Sequence, residues 1–193
     1  MALLIAGLVL FFGTHSVSIA NEPWRDRMVA RLGESTWQGL YGLISLIGLV
    51  LVVWGYGLAR ETPTLVYLPP LWLRHVTLLL MLPVFPLFIA TYFPGRLKAV
   101  AVHPMLLATM LWAIAHLLAN GTVADLLLFG GFLAWAVADR ISMSHRLQRP
   151  IPGAPPSRLN DIIAVVGGLA LYAAFLFGLH TWLFGVSPLA GAA

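Results

Sequence analysis

The chain has 193 residues, of which 60% are hydrophobic and only 9% charged, and its mean hydropathy is +0.91. So little charge cannot coat a soluble domain of this size, and cysteine is absent, which excludes disulfides, thiolate metal sites and thiol catalysis. The net charge of +4 reads as membrane topology rather than nucleic-acid affinity, because the basic residues sit between apolar runs.

Six apolar runs lie at roughly 2–20, 37–58, 71–92, 104–119, 123–138 and 161–184. No basic residue precedes Phe11 in the first run. A secretory signal needs a positive start, so despite the small residues Ser18-Ile19-Ala20 this run reads as a retained helix. After it, Trp24, Met28 and Leu32 recur every four residues, with Arg25, Asp26, Arg27 and Arg31 between them. That spacing predicts a short interfacial helix beginning near Asn21 and Pro23. In the third run, Pro83 and Pro86 predict a kink that frees backbone carbonyls one turn earlier. The fourth and fifth runs, each about 24 Å as helix, form a hairpin. Asn120-Gly121 supplies its turn, and Thr122 with Asp125 has the spacing of a capping box. Before the sixth run, Pro150, Pro152, Pro155 and Pro156 predict an extended surface connector. Gly39, Gly42, Gly130, Gly131, Gly167 and Gly168 are expected where helices approach closely.

Charge sets the expected orientation. Arg25, Arg27, Arg31, Arg96, Lys98, Arg140, Arg146, Arg149 and Arg158 fall in three alternate loops, which leaves only Arg60 and Arg74 for the other side. Positive residues are retained in the cytoplasm, so the prediction is an all-α integral membrane protein. It is a bundle of six transmembrane helices in a single domain, residues 1–193, with both termini outside. Trp24, Trp37, Trp54, Trp72 and Trp182 lie near run ends and read as interface anchors.

Five of the six histidines fall within or beside apolar runs, where an ionisable group is costly and points to function. The predicted topology sorts them into two layers, His15 with His103 toward the cytoplasm and His75, His116 and His180 toward the outside. His145 falls in a cytoplasmic loop and reads as solvated. His103 and His116 stand about 20 Å apart along one helix, too far to share a metal ion. His15 and His103 lie at similar depth on different helices, and two facing imidazoles in an apolar bundle suit haem b, bound non-covalently since there is no CxxCH. A membrane histidine also serves simply as a hydrogen-bond partner between helices, and that reading stands beside the cofactor one for His75 and His180. Asp125 reads as a helix cap, and Asp139-Arg140 as an interfacial ion pair.

Several stretches together resemble the NnrU family. They are Gly13-Thr14-His15-Ser16, His103-Pro104-Met105, the segment from Trp112 through His116 to Gly121, Leu128-Phe129-Gly130-Gly131-Phe132, and Asp139-Arg140. The resemblance spans essentially the whole chain. It implies a multi-pass protein of the bacterial inner membrane associated with nitrite and nitric oxide reduction. The family is in turn similar to 15-cis-zeta-carotene isomerase, a membrane haem b protein with two histidine axial ligands. That similarity implies His15 and His103 as iron ligands and marks His116 as a further shared residue of the cofactor region. The chain departs from the isomerase at Val102, where the isomerase has arginine, and it is shorter. These departures bear on isomerase activity more than on haem binding.

Three functional classes are therefore expected. The first is a haem b protein with an accessory or redox role in denitrification, in contact with the bilayer and with nitrogen-oxide respiratory proteins. The second is a haem-dependent isomerase or oxidoreductase acting on a lipophilic small molecule such as a carotenoid or quinone. The third is a small transporter that uses the outer histidines and the kinked third run. No nucleic-acid partner is expected.

Overall fold

In the computed structural model, residues 1–147, 149 and 151–189 are described. Their regular secondary structure is all helix apart from one isolated β-bridge. The helices are α1 (Ala2–His15), α2 (Val17–Leu32), α3 (Glu34–Ala59), α4 (Leu73–Met81), α5 (Val84–Tyr92), α6 (Arg96–Ala101) and α7 (Pro104–Ala119). They continue as α8 (Val123–Asp125), α9 (Gly131–Ser142), α10 (Leu159–Ala174) and α11 (His180–Phe184). Single π-helical turns, Leu126–Gly130 and Phe175–Leu179, join α8 to α9 and α10 to α11.

Three stretches are long and apolar enough to cross a membrane: Glu34–Ala59, Leu73–Tyr92 and Leu159–Phe184. A fourth is added if α1 and α2, bent by 53° at Ser16, count as one. By length the helices thus supply three to four spans rather than six. The shortfall has a physical cause. Helix α7 has 16 residues, or about 24 Å of rise, and the fifth run, helical from Val123 to Ser142, carries Asp125, Asp139 and Arg140, too much charge for a span of that length. The first run ends its straight helix at His15, five residues earlier than expected from composition.

The chain divides into two compact units. The first contains residues 1–67 and 121–147. Its centre is the antiparallel pair α1 and α3, in which Gly7 lies against the backbone of Leu51 and Val52, Gly48 against Phe11, and Gly55 against Leu3 and Leu4. A β-carbon at any of these positions would run into main-chain atoms, so glycine is what permits the approach. Of the glycines expected at interfaces, Gly39, Gly42 and Gly130 instead face open space, whereas Gly131 does pack, on the ring of Phe12. The 61–67 segment pairs with the chain after Gly121, through Val66 N–H and Tyr67 N–H to Gly121 O (2.8 and 3.1 Å) and Val123 N–H to Thr64 O (2.9 Å). Thr122 and Asp125 form the expected capping box, and the buried Asp125 carboxylate also accepts from Tyr56 Oη at 2.6 Å. With its lone pairs occupied, this acid is a structural tie between α3 and α8.

Within α2, Asn21 leaves the helical conformation (φ −156°), and its side chain accepts from Trp24 N–H at 3.0 Å. It therefore caps a second helical segment that carries Trp24, Met28 and Leu32, as their spacing predicted. Trp24 packs edge-on against Trp37 at 6.1 Å.

The second unit contains residues 68–120 and 148–193. Pro83 stands at the break between α4 and α5, and Pro86 sits in the first turn of α5, where the kink was expected. Leu82 N–H turns to Leu79 O, which leaves Leu78 O without its helical partner, and Tyr172 Oη donates to it at 3.0 Å. Gly168 of α10 sits against the backbone of Pro86, and Gly167 touches only Ile89 Cδ1. Val84, Leu87 and Ala108 form the buried core where α5 meets α7. Asp161 accepts from the first two amides of α6, Arg96 and Leu97, both at 2.9 Å. Residues 151–156 form neither helix nor strand and are largely exposed, and Ala154 N–H fastens them to Tyr92 O. Pro150 lies outside the described residues.

Candidate functional site

In the first unit, His15 is the last residue of α1, and its position on the helix face is set by Phe11 one turn earlier. The two rings stack with centroids 4.1 Å apart and planes 23° apart. Tyr41 of α3 (5.2 Å, tilted) and Trp135 of α9 (5.8 Å, perpendicular) close two further sides. Phe12 and Phe132 extend the aromatic lining, with Phe11–Phe132 at 5.5 Å and Phe12–Phe132 at 5.0 Å. The imidazole is half-buried in this box.

Its protonation pattern is constrained. His15 Nδ1 lies 2.8 Å from Phe11 O. A carbonyl only accepts, so Nδ1 carries the proton, and in the neutral ring Nε2 keeps its lone pair. Histidines that ligate metals are typically held this way, the second nitrogen donating to a carbonyl or carboxylate. This tautomer fits an imidazole that could bind a metal through Nε2.

Below the box, Asp139 pairs with Arg146 and not with the adjacent Arg140. Neighbouring side chains on a helix diverge by about 100°, whereas the chain leaves α9 after Ser142 and folds Arg146 back over the last turn. His145 is exposed, as its loop position predicted. It lines an open groove with Ser18, Glu22, Ser142 and Arg146, and His15 is not among the lining residues. Trp135 Nε1 is buried without a hydrogen-bond partner among the described residues.

In the second unit, His103 occupies the N-cap of α7 and is half-buried, with Pro104 as the first helical residue. His116, 13 positions along the same helix, donates Nδ1–H to Trp112 O at 2.9 Å and rests against the Trp112 ring at 5.2 Å. The helix holds His103 and His116 about 20 Å apart, so they belong to separate sites. His75 is exposed on α4. His180 donates to Val186 O at 2.6 Å, closing the C-terminal turn of α11. Among the described residues, no group of three or more histidine and acidic side chains is arranged to hold a metal ion. The histidines therefore enter as single imidazoles. Tyr41 and Trp135 were not singled out as site residues in the sequence. The one available signal was the helical spacing of Phe132, Trp135 and Asp139 on a common face.

The family model described as "NnrU protein" matches residues 3–188. The chain belongs to the NnrU family. No curated protein and no solved structure matches it. The NnrU match extends from α1 through the end of α11, so both units, and with them His15, His103 and His116, fall inside the family region.

Proposed function

We propose that this NnrU protein is a haem b protein of the bacterial inner membrane with an accessory or redox role in nitrite and nitric oxide reduction. In this reading all six apolar runs are embedded, both termini face outward, and His15 and His103 would be the residues that hold the haem. The observation that carries the reading is the His15 box. There, one imidazole is fixed by its own helix carbonyl in the tautomer that leaves Nε2 as a donor, among aromatic faces suited to a flat apolar macrocycle. The assignment of His103 rests on the resemblance to the isomerase and on its place in the His-Pro motif. When bound, haem would supply one-electron chemistry or a site for a small diatomic ligand. The chain's own part is to present two neutral imidazoles and to exclude water with Phe11, Phe12 and Phe132. Partners would be the bilayer and nitrogen-oxide respiratory proteins. A second reading, catalysis on a carotenoid- or quinone-like lipid, draws on the same aromatic lining.

The test is cofactor content. Protein purified in detergent from cells supplied with a haem precursor is expected to carry haem b in stoichiometric amount, measured as the pyridine complex after extraction. Protein that is folded by circular dichroism but devoid of haem under these conditions would overturn the proposal.

A further inference from the structure

The two residues between α6 and α7 form an unusual turn. Val102 has φ 61° and ψ −53°, and it is the one non-glycine residue with positive φ among the described residues. His103 N–H donates to Ala101 O at 2.7 Å, across a single intervening residue. These angles and this bond define the rare γ-turn of positive φ, a strained form. Glycine adopts such angles freely, whereas a β-branched side chain is a marked outlier there. Packing does not explain the choice, since Val102 is 51% exposed. The turn is held from both ends: Val102 N–H closes α6 on Lys98 O (2.9 Å), and His103 O opens α7 by accepting from Leu107 N–H (3.1 Å). Both main-chain polar groups of His103 are therefore engaged. Pro104 restricts it further, yet ψ at His103 is 72°, short of the extended values that a following proline favours.

We infer that Val102 is a positioning residue, whose strained γ-turn fixes the backbone of His103 so that its imidazole is presented in one orientation. The inference rests on the reading of His103 as a haem ligand. Strain kept in a half-exposed residue directly before a ligand is the pattern expected where backbone geometry is held for a site rather than for stability. Glycine at this position would relieve the strain but widen the range of backbone angles open to His103.

The experiment compares wild type, Val102→Gly and Val102→Ile as purified proteins, by thermal unfolding of the haem-free forms, where bound haem cannot contribute to stability, and by haem dissociation and ferric electron paramagnetic resonance of the haem-loaded forms. Val102→Gly is expected to unfold at the same temperature as wild type or higher, to release haem about tenfold more readily, and to give broadened low-spin signals. Val102→Ile, still β-branched, is expected to keep the wild-type affinity and line shape. A Val102→Gly protein with unchanged haem retention and spectrum would overturn the inference while leaving the haem reading intact. A lower unfolding temperature for Val102→Gly would also overturn it, by showing Val102 to be a packing residue. Wild type without haem would remove the His103 reading, and this inference with it.

Discussion

His15→Ala is expected to lose haem in detergent while remaining a folded helical membrane protein. The side chain is half-buried and its one hydrogen bond is to its own helix, so removing it leaves no buried group orphaned. The fold rests elsewhere, on the α1–α3 glycine contact and on backbone hydrogen bonding. The iron, by contrast, would lose one of two strong ligands. Changes to groups that merely orient a ligand already cost about 10–100-fold in metal affinity, so loss of the ligand itself should exceed that range. His116→Ala should cost much less, because its site is separated from His103 by most of the length of α7. His145→Ala, at an exposed loop position, should be close to neutral. Absorbance of the four purified proteins in the Soret region checks this order. Loss of haem in His116→Ala but not in His15→Ala would move the site to the layer predicted outside.

The second large effect is expected at Gly55. Gly55→Ala places a β-carbon on the main chain of Leu4, which cannot yield as a flexible side chain would. Helices α1 and α3 must separate, and the contacts at Gly48 and Gly7 loosen with them. A cost of about 3 kcal/mol is expected, at the upper end of overpacking penalties. Gly57 supplies the internal control, since it lies two residues along the same helix and faces open space. There the same substitution brings only the gain in helix propensity, about 0.5–1 kcal/mol. Opposite shifts of thermal unfolding for Gly55→Ala and Gly57→Ala are the expected result. Equal shifts would mean that the α1–α3 contact is not a source of stability.

Features built from neighbouring residues were legible in the sequence, and those built from distant ones were not. The Thr122–Asp125 capping box, the Asn21 start of an amphipathic segment and the Pro83–Pro86 break each depend on a few adjacent positions, and each stands as expected. The helix contacts were misjudged because glycine content does not reveal which face meets a neighbour. Gly39 and Gly42 are the glycines of α3 expected at a close approach, yet it is Gly48 and Gly55 that face α1. Tyr41 and Trp135 meet His15 from two other helices, a convergence that spacing cannot encode. The Asp139–Arg146 pair depends on the chain folding back after α9. The π-helical turns, which divide two apolar runs, left no mark in hydropathy. Membership of the NnrU family, in contrast, was carried by contiguous motifs, and the family model covers them all.

The central proposal is that haem is held through the imidazoles of His15 and His103. Ferric electron paramagnetic resonance of the wild-type protein tests it most directly, because iron with two neutral nitrogen ligands is low-spin and six-coordinate. The account predicts a low-spin rhombic signal that disappears in both His15→Ala and His103→Ala, with any haem they retain high-spin. A high-spin signal in the wild type, or a low-spin signal that survives both substitutions, would contradict it.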